Sequence, residues 1–294
     1  MNTATHLPTA PGLAELALLK VFWYFGFFKH ALNLNEVHKY LGLPLAKPNL
    51  ENLLRKLVES GRLLECEGFY GLNQVHLQNR LNNRLLNLKF MVIAQRYGRL
   101  IEAFPFVRSV FISGSLSKFG INHSGHDVDY FLVVAPNRVW TTKFLLMAFK
   151  KLFLFNSHKY FCINLLRDEN HLKFEKENIY IATEIASLLP LGHNRHQQAI
   201  LQNNTWVFRF FPNLSMPPAQ ASSQKRQNIL EALLNFTLGN KFENWCRRQF
   251  AKHVKRQQNH GSAYFETLPH SSAYFPESME SKILAHYASK FNQK

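Results

Sequence analysis

Two short stretches decide the fold of this chain: residues 110–115 read VFISGS and, eleven residues later, residues 127–134 read DVDYFLVV. Each contains an apolar run of the length of a β-strand, and the first run ends at a Gly-Ser turn. Residues i and i+2 of a strand face the same side, so this pattern predicts that Asp127 and Asp129 present two carboxylates together. Two such carboxylates repel each other unless a divalent cation lies between them.

Gly114 and Ser115 form the turn that ends the first run. A glycine at a strand-to-helix turn lets backbone N–H groups approach a phosphate, and a helix that begins near Leu116 favours negative charge at its N-terminus. The Ser115 hydroxyl can donate a further hydrogen bond. A phosphate cradle on one strand beside a carboxylate pair on the next predicts a site for a nucleoside triphosphate. The alternative is an ordinary turn beside a strand that aspartates merely cap.

At these residues the chain resembles the DNA polymerase beta-like nucleotidyltransferase superfamily, over residues 106–166. That superfamily combines an apolar strand, a Gly-Ser or Gly-Gly turn, a gap of similar length and Asp-x-Asp at the next strand. The resemblance implies transfer of a nucleoside monophosphate from ATP or another nucleoside triphosphate to an acceptor hydroxyl, with Mg²⁺ or Mn²⁺ as cofactor. It assigns the metal to Asp127 and Asp129 and the phosphates to Gly114 and Ser115.

Lys118 and a third acidic position complete the implied site. Lys118 either neutralises the leaving pyrophosphate or is simply an exposed lysine. The superfamily takes a third carboxylate from a later strand, and in residues 160–166 the matching residue is Asn164. An amide can ligate a metal but cannot act as a base, so we expect Asp127, Asp129 and Asn164 to support slow transfer. Three acids further along the chain are candidate substitutes: Asp168, Glu169 and Glu184.

The composition fits a globular protein with a polyanionic partner. The 294 residues are 46% hydrophobic, and 35 basic against 19 acidic residues give a formal net charge of +16. This charge favours a nucleotide, a nucleic acid or an anionic membrane surface as partner. Three separated cysteines indicate neither a disulfide framework nor a zinc site, and are typical of a reduced cytoplasm. The longest apolar runs, residues 13–28 and 144–155, contain charges and fall short of a membrane span.

Residues 1–80 follow the order of a winged-helix module. Apolar periodicity predicts three helices, of which the second opens with a capping box at Asn33 and the third spans 49–60. A hairpin across Glu67-Gly68 follows. The third helix carries two acidic and two basic outward residues: Glu51, Glu59, Arg55 and Lys56. DNA contact needs a positive face, so we expect this module to act as a packing wall or dimer surface instead.

The rest of the chain predicts an α+β protein. Residues 81–200 begin with a long amphipathic helix and continue as alternating strands and helices, which predicts a small mixed β-sheet nucleotidyltransferase core. Residues 201–294 are expected to form a C-terminal helical region. Arg248, Lys252 and Lys255 share one helical face there, which is a track for nucleic acid, a triphosphate clamp or a solubilising surface. Ser-Ala-Tyr-Phe occurs at 262 and again at 272 without an assigned role.

Two functions stand as alternatives to a transferase. In one, the protein is a nucleic-acid-binding regulator that works through its winged helix and carries a degenerate nucleotidyltransferase unit. Asn164 favours this alternative, whereas Asp127 and Asp129 argue against it. In the other, a nucleotide-binding scaffold keeps the phosphate cradle without transfer. For a transferase, a small molecule, a protein hydroxyl and an RNA end all fit as acceptors, because acceptor choice lies in loops and accessory domains.

Overall fold

The computed structural model describes residues 12–157, 159–192, 195–218, 229–237, 239–258 and 263–290, so residues 1–11 of the predicted N-terminal module lie outside it. Backbone contacts divide the chain into two compact units. One holds the described residues of Met1–Asn79, Phe208–Leu214 and His286–Lys294, and the other those of Arg80–Val207 and Ser215–Ala285. Among the helices described, none combines the length and the apolar character needed to cross a bilayer.

The N-terminal unit consists of short helices and a small antiparallel sheet. Its elements are α1 (Leu13–Gly26), β1 (Leu32–Asn33), α2 (Leu34–Tyr40), α3 (Lys47–Glu59), β2 (Leu64–Cys66) and β3 (Phe69–Gly71), followed by α4 (Gln74–Asn82). The strands lie in the order β1-β3-β2. The predicted capping box is confirmed, because the Asn33 side chain accepts from the Glu36 N–H at 3.0 Å and the Glu36 carboxylate accepts from the Asn33 N–H at 2.9 Å. Glu67 and Gly68 both have positive φ, as a tight β2–β3 hairpin requires.

The larger unit is a mixed sheet with helices packed against it. In chain order, the elements from residue 84 onward are α5 (Arg84–Glu102), β4 (Val107–Ile112), a 3₁₀ turn (Leu116–Lys118), β5 (Asp129–Val134), α6 (Val139–Phe153), β6 (Cys162–Asp168), α7 (Ile179–Ser187), β7 (Leu189–Leu191), α8 (Arg195–Asn203), α9 (Val207–Phe210), α10 (Ile229–Thr237), α11 (Gly239–Gln258), β8 (Ala263–Leu268), β9 (Ser271–Pro276) and α12 (Glu277–Ser289). Most of α9 and the end of α12 belong to the N-terminal unit, and the other elements form the larger unit. The strand order is β7-β4-β5-β6-β9-β8, with β5 and β6 parallel and the other neighbours antiparallel. The predicted α+β class with a mixed sheet is therefore confirmed.

The alternation of side chains along β5 separates the core from the site. Tyr130 and Val134 are buried in a core that includes Phe90 of α5 and Trp140 of α6. These two helices therefore cover one face of the sheet. Successive strand residues point to opposite faces, so Asp129 points away from this core.

The predicted C-terminal helical region needs one correction, because it contains the strands β8 and β9. They form an antiparallel hairpin, and β9 extends the sheet by pairing with β6. The repeated Ala-Tyr-Phe of residues 263–265 and 273–275 lies in these strands, with Phe265 opposite Tyr274. The aromatic residues of the repeat favour strands, but the surrounding residues have a helical periodicity. The partner strand β6 lies about 100 residues earlier in the chain, so the local sequence does not predict the pairing.

Candidate functional site

The turn after β4 brings Gly114 directly against Asp129. The Ser113 N–H donates to the Asp129 carbonyl at 2.9 Å, so the turn starts beside the first residue of β5. Gly114 has a φ of +62°, and a Cβ added to it would lie 3.1 Å from the carboxylate carbon of Asp129. The left-handed φ and the close approach both require glycine here. The predicted phosphate-binding turn and one of the predicted metal ligands are thus in contact.

Ser115 precedes a single 3₁₀ turn, Leu116–Lys118, in the place where the sequence predicts the start of a helix near Leu116. Its carbonyl accepts from the Gly120 N–H at 2.9 Å, which closes the turn. Arg80 braces the turn by donating to the carbonyls of Lys118 and Phe119 at 3.0 and 3.3 Å. A single 3₁₀ turn has little macrodipole, so a phosphate placed at this turn would be attracted by backbone N–H groups and by Lys118.

Asp129 is the first residue of β5, and Asp127 lies two residues before it, close enough for its charge to act on Asp129. Val128 between them is fully buried; its N–H donates to the Lys159 carbonyl at 2.8 Å, and its carbonyl accepts from the Cys162 N–H at 3.2 Å. The backbone is therefore strand-like at Val128, and the two aspartates share the opposite face. Asp127 is exposed, whereas Asp129 is half-buried.

The environment of Asp129 penalises its negative charge. Burial, together with the neighbouring charges of Asp127 and Glu184, raises the pKa of Asp129 to about 6. A hydrogen bond with the Cys162 side chain and the nearby charge of Lys118 lower the pKa of Asp129 and so offset part of this rise. A cation at this position is favourable, because it relieves both the lost solvation and the repulsion between the acids.

The residue of β6 that faces Asp129 is Cys162 and not Asn164. The two strands are parallel with Asp129 opposite Cys162, and a register shift beyond Ile163 leaves Asn164 at a bulge. Burial and the adjacent Asp129 raise the pKa of the Cys162 thiol to about 12, so the thiol stays protonated and donates to the Asp129 carboxylate. The register therefore places Cys162 opposite Asp129, where the resemblance implied Asn164.

Lys118 forms an ion pair with Glu184 beside the turn. Its Nζ atom lies 2.9 Å from Glu184 Oε1 and donates to the Gly114 carbonyl at 2.9 Å. Only 11% of the Lys118 side chain is exposed, so the interpretation of Lys118 as a simply exposed lysine does not hold. The second Glu184 oxygen, Oε2, accepts from the same Nζ atom at 3.0 Å, so the three donors of the ammonium group already face three oxygens.

Two further side chains near the carboxylate pair were not predicted. Tyr180 lies one turn before Glu184 on α7, and burial raises its pKa, with further contributions from Glu184, Glu280 and Asp129. Lys150 of α6 is 7% exposed; burial lowers its pKa, and the neighbouring Cys162 and Asp127 oppose this change. The spacing of Tyr180 and Glu184 by four residues was the one sequence signal for a shared helix face.

Asp168 and Glu169, two of the acids considered as substitutes, lie at the opposite end of β6. Asp168 pairs with the residue of β5 that is five positions beyond Asp129, which is about 17 Å along the strand. Its carboxylate is buried and contacts His171 Nδ1 at 2.8 Å. Of the three candidate acids, the fold therefore brings only Glu184 to the carboxylate pair.

The donor set decides which kind of metal site fits. Within the described ranges, no group of three or more His, Cys, Asp and Glu side chains is arranged to hold a metal ion. Asp127 and Asp129 supply hard oxygen donors, and Mg²⁺ is commonly held by one or two carboxylates together with substrate phosphates. The residues therefore fit Mg²⁺ or Mn²⁺ that binds with a triphosphate, and do not form a cage made of protein ligands alone.

Substitution of Gly114 tests the contact between the turn and Asp129. We expect Gly114→Ala to lose about 1–2 kcal/mol of unfolding free energy through its left-handed φ. It should also displace Asp129 and weaken metal-dependent triphosphate binding about tenfold or more, because small misplacements at a reaction centre are costly. Gly68→Ala is the matched control, since Gly68 has a φ of +77° and its added Cβ meets nothing within 4 Å. Denaturation should show a loss of stability in both variants, and calorimetry should show weaker triphosphate binding in Gly114→Ala alone; equal triphosphate binding in both would contradict the prediction.

The raised pKa of Asp129 predicts how stability depends on pH in the metal-free protein. Burial raises the pKa of Asp129 from 3.8 to about 6, so the folded state holds the proton more tightly than the unfolded chain. The tighter binding of this proton stabilises the folded state fully at low pH, and the stabilisation is lost as the pH rises from about 4 to about 6. Asp129→Asn carries no charge at any pH, so it should not lose this stability and should melt at a higher temperature than the wild type at neutral pH. Thermal melts across this range check it, and an unchanged melting temperature at neutral pH would refute it.

The fold assembles the site from five elements, namely the turn after β4, the start of β5, the start of β6, the end of α6 and one face of α7. Spacing along the chain identified the turn and the aspartate pair. The residues that surround them came together only through the sheet and the helices: Lys150, Cys162, Tyr180 and Glu184. Comparison of the chain with protein-family models, with curated proteins and with solved structures found no match.

Proposed function

We propose that the protein is a Mg²⁺-dependent or Mn²⁺-dependent nucleotidyltransferase that transfers a nucleoside monophosphate from ATP or another nucleoside triphosphate to an acceptor hydroxyl. The observation that carries this proposal is the contact between Gly114 and Asp129. A phosphate-binding turn and a carboxylate pair serve one triphosphate only when they adjoin each other. Their separate presence in the sequence carries much less weight.

The turn supplies the groups that bind the leaving phosphates. The backbone at Gly114 and Ser115 and the Ser115 hydroxyl offer donors to the β and γ phosphates. Lys118 adds a positive charge that the Gly114 carbonyl and Glu184 already hold in place. Such preorganisation favours transfer, because the charge does not have to be repositioned as the pyrophosphate leaves.

Asp127 and Asp129 would hold the cation. When bound, the cation polarises the α phosphate and offsets the charge that develops on the leaving pyrophosphate. The protonated Cys162 thiol donates to Asp129 and so orients its carboxylate. Asp127 is exposed and can adjust its side chain at little cost. Asp129 would therefore bind the cation with a fixed orientation, and Asp127 would adjust to it.

Glu184 takes the role that the third carboxylate has in the resembled superfamily. Its charge contributes to the raised pKa of Asp129, after burial and Asp127, and its side chain is 29% exposed. A carboxylate there can accept the proton of the attacking hydroxyl, which Asn164 cannot do. Tyr180, one turn earlier on α7, offers a hydroxyl for orienting the acceptor. This assignment replaces the expectation of a centre weakened by Asn164.

The architecture also supports the proposal. In the N-terminal unit, the order α1-β1-α2-α3-β2-β3 with a small antiparallel sheet is the order expected for a winged helix. In the larger unit, antiparallel β4 and β5 followed by parallel β6 agree with the mixed sheet expected for a polymerase beta-like core. We include both assignments in the proposal, with the winged helix as a packing module because Glu51 and Glu59 of α3 are exposed.

Titration calorimetry with an ATP analogue that resists cleavage between its α and β phosphates tests the proposal. We expect binding with Mg²⁺ or Mn²⁺ and none with a chelator, because Asp127 and Asp129 repel the phosphates when no cation is present. Transfer is then followed with ATP labelled at its α phosphate, in separate reactions with protein, RNA and small-molecule acceptors. Equal binding with and without metal would overturn the proposal. Metal-dependent binding without transfer to any acceptor would favour the scaffold alternative.

A further inference from the structure

One face of α11 carries basic side chains over most of its length. Lys241, Trp245, Arg248, Lys252 and Lys255 follow each other at steps of four and three residues, so they share one side of the helix. The four basic residues are exposed, and Trp245 is 48% exposed. The row is about 21 Å long at a rise of 1.5 Å per residue. These five residues are the α11 stripe.

The acidic residue of α11 does not offset this charge. Glu243 is the one acid in the sequence of the helix, and it is 6% exposed. Its carboxylate accepts from the backbone N–H groups of Trp140 and Thr141 at 2.8 and 2.7 Å. Glu243 therefore caps the N-terminus of α6, where the helix dipole stabilises its charge. The exposed side of α11 is left with basic groups and no acid of its own.

The opposite side of α11 packs on α6 and holds the stripe outward. The Phe242 and Phe144 rings meet edge to face at 5.4 Å, and the Phe250 and Trp140 rings lie 5.7 Å apart. Trp245 stacks on Phe242, with ring centroids 5.5 Å apart and an angle of 20° between the rings. One face of its indole is thus supported from within the protein, while almost half of the side chain remains exposed.

We propose that the α11 stripe binds single-stranded nucleic acid. Its four cations can neutralise successive phosphates along a strand, and neutralisation of phosphates supplies most of the affinity of sequence-independent binding. The supported indole of Trp245 lies between Lys241 and Arg248 and can stack with an unpaired base. The formal net charge of +16 adds a long-range attraction for a polyanion. The stripe belongs to a different helix from the reaction centre, so the inference does not depend on nucleotidyl transfer.

The distribution of apolar groups favours a nucleic acid over an anionic membrane. A helix that lies on a membrane inserts a continuous apolar face between the lipid head groups. The apolar face of α11 is used instead against α6, and the stripe offers a lone Trp245 among cations. In a single strand, the bases can stack on an aromatic ring while the phosphates pair with the cations on either side of it.

Fluorescence anisotropy of the full-length protein with a labelled single-stranded RNA of about 20 nucleotides tests this inference. The test variant combines Lys241→Gln, Arg248→Gln, Lys252→Gln and Lys255→Gln. With four contacts at about 0.7 each, the slope of log affinity against log salt should fall by about 3, and affinity should fall at least tenfold. Trp245→Leu alone should weaken binding by about fivefold or more. Lys252→Glu serves as a single-residue check if the fourfold variant folds poorly.

The matched control removes four exposed charges from another helix of the same unit, by changing Arg84, Lys89, Arg96 and Arg99 of α5 to glutamine. We expect this control to keep the RNA affinity within about threefold of the wild type, because long-range attraction alone is weak at physiological salt. Equal losses in the two fourfold variants would overturn the inference, since net charge would then explain binding. Stripe-dependent binding to vesicles of equal parts phosphatidylcholine and phosphatidylserine, without RNA binding, would overturn it in favour of a membrane surface.

Discussion

We expect the double substitution Asp127→Asn with Asp129→Asn to abolish metal-dependent triphosphate binding while the protein stays folded. The two carboxylates are the hard oxygen donors at the Gly114 turn, and an amide pair no longer attracts a divalent cation. Loss of several kcal/mol of charge stabilisation corresponds to at least about 100-fold in affinity. Calorimetry with Mg²⁺ and the cleavage-resistant ATP analogue measures the loss, and circular dichroism checks the fold.

The control for this variant is Glu51→Gln with Glu59→Gln, which removes two exposed carboxylates from α3 and changes the net charge by the same amount. We expect it to bind the triphosphate with wild-type affinity. Should the Asp127 and Asp129 variant also bind normally in the presence of Mg²⁺, the metal assignment would be wrong. A similar loss in both variants would instead indicate that net charge controls the affinity.

We expect Glu184→Gln to lower the rate of nucleotidyl transfer by about 10²–10⁴-fold, which is the usual contribution of a general base. Triphosphate affinity should change much less than the rate, because Gly114, Ser115 and the two aspartates remain and the Gly114 carbonyl still accepts from Lys118. A single-turnover assay of pyrophosphate release at saturating ATP separates these two effects. The acidic limb of its pH profile should also change, since Glu184 contributes to the raised pKa of Asp129, after burial and Asp127.

Two matched variants decide what a slow Glu184→Gln protein means. Glu169→Gln removes an acid that contacts His196 at the far end of β6, and it should transfer at the wild-type rate. Asn164→Asp adds a carboxylate at the bulge of β6 and should not restore the rate of Glu184→Gln. Rescue by Asn164→Asp would show that the third acidic position lies on β6 after all. A wild-type rate in Glu184→Gln would remove Glu184 from proton transfer.

The features of the fold that the sequence alone predicted are those that local rules govern. The capping box at Asn33 depends on residues three positions apart, and the hairpin at Glu67 and Gly68 depends on backbone preferences within the turn itself. The long helix α5 was visible as an apolar stripe of period 3.6. The hairpin of β8 and β9 was missed, because its place in the sheet depends on a pairing with β6.

The same division holds at the site. The sequence by itself determined that Asp127 and Asp129 share one face and that Gly114 lies in the turn after the preceding strand, because strand alternation and glycine conformation act over two or three residues. Whether Cys162 or Asn164 lies opposite Asp129 depends on the register of the parallel strands β5 and β6. A bulge of one residue shifts this register, and the sequence does not reveal the bulge. Glu184 lies on α7, and it contacts the turn through its ion pair with Lys118, a residue 66 positions earlier in the chain. Only tertiary packing brings such distant charges together, because no local periodicity specifies which helix face lies over which strand end.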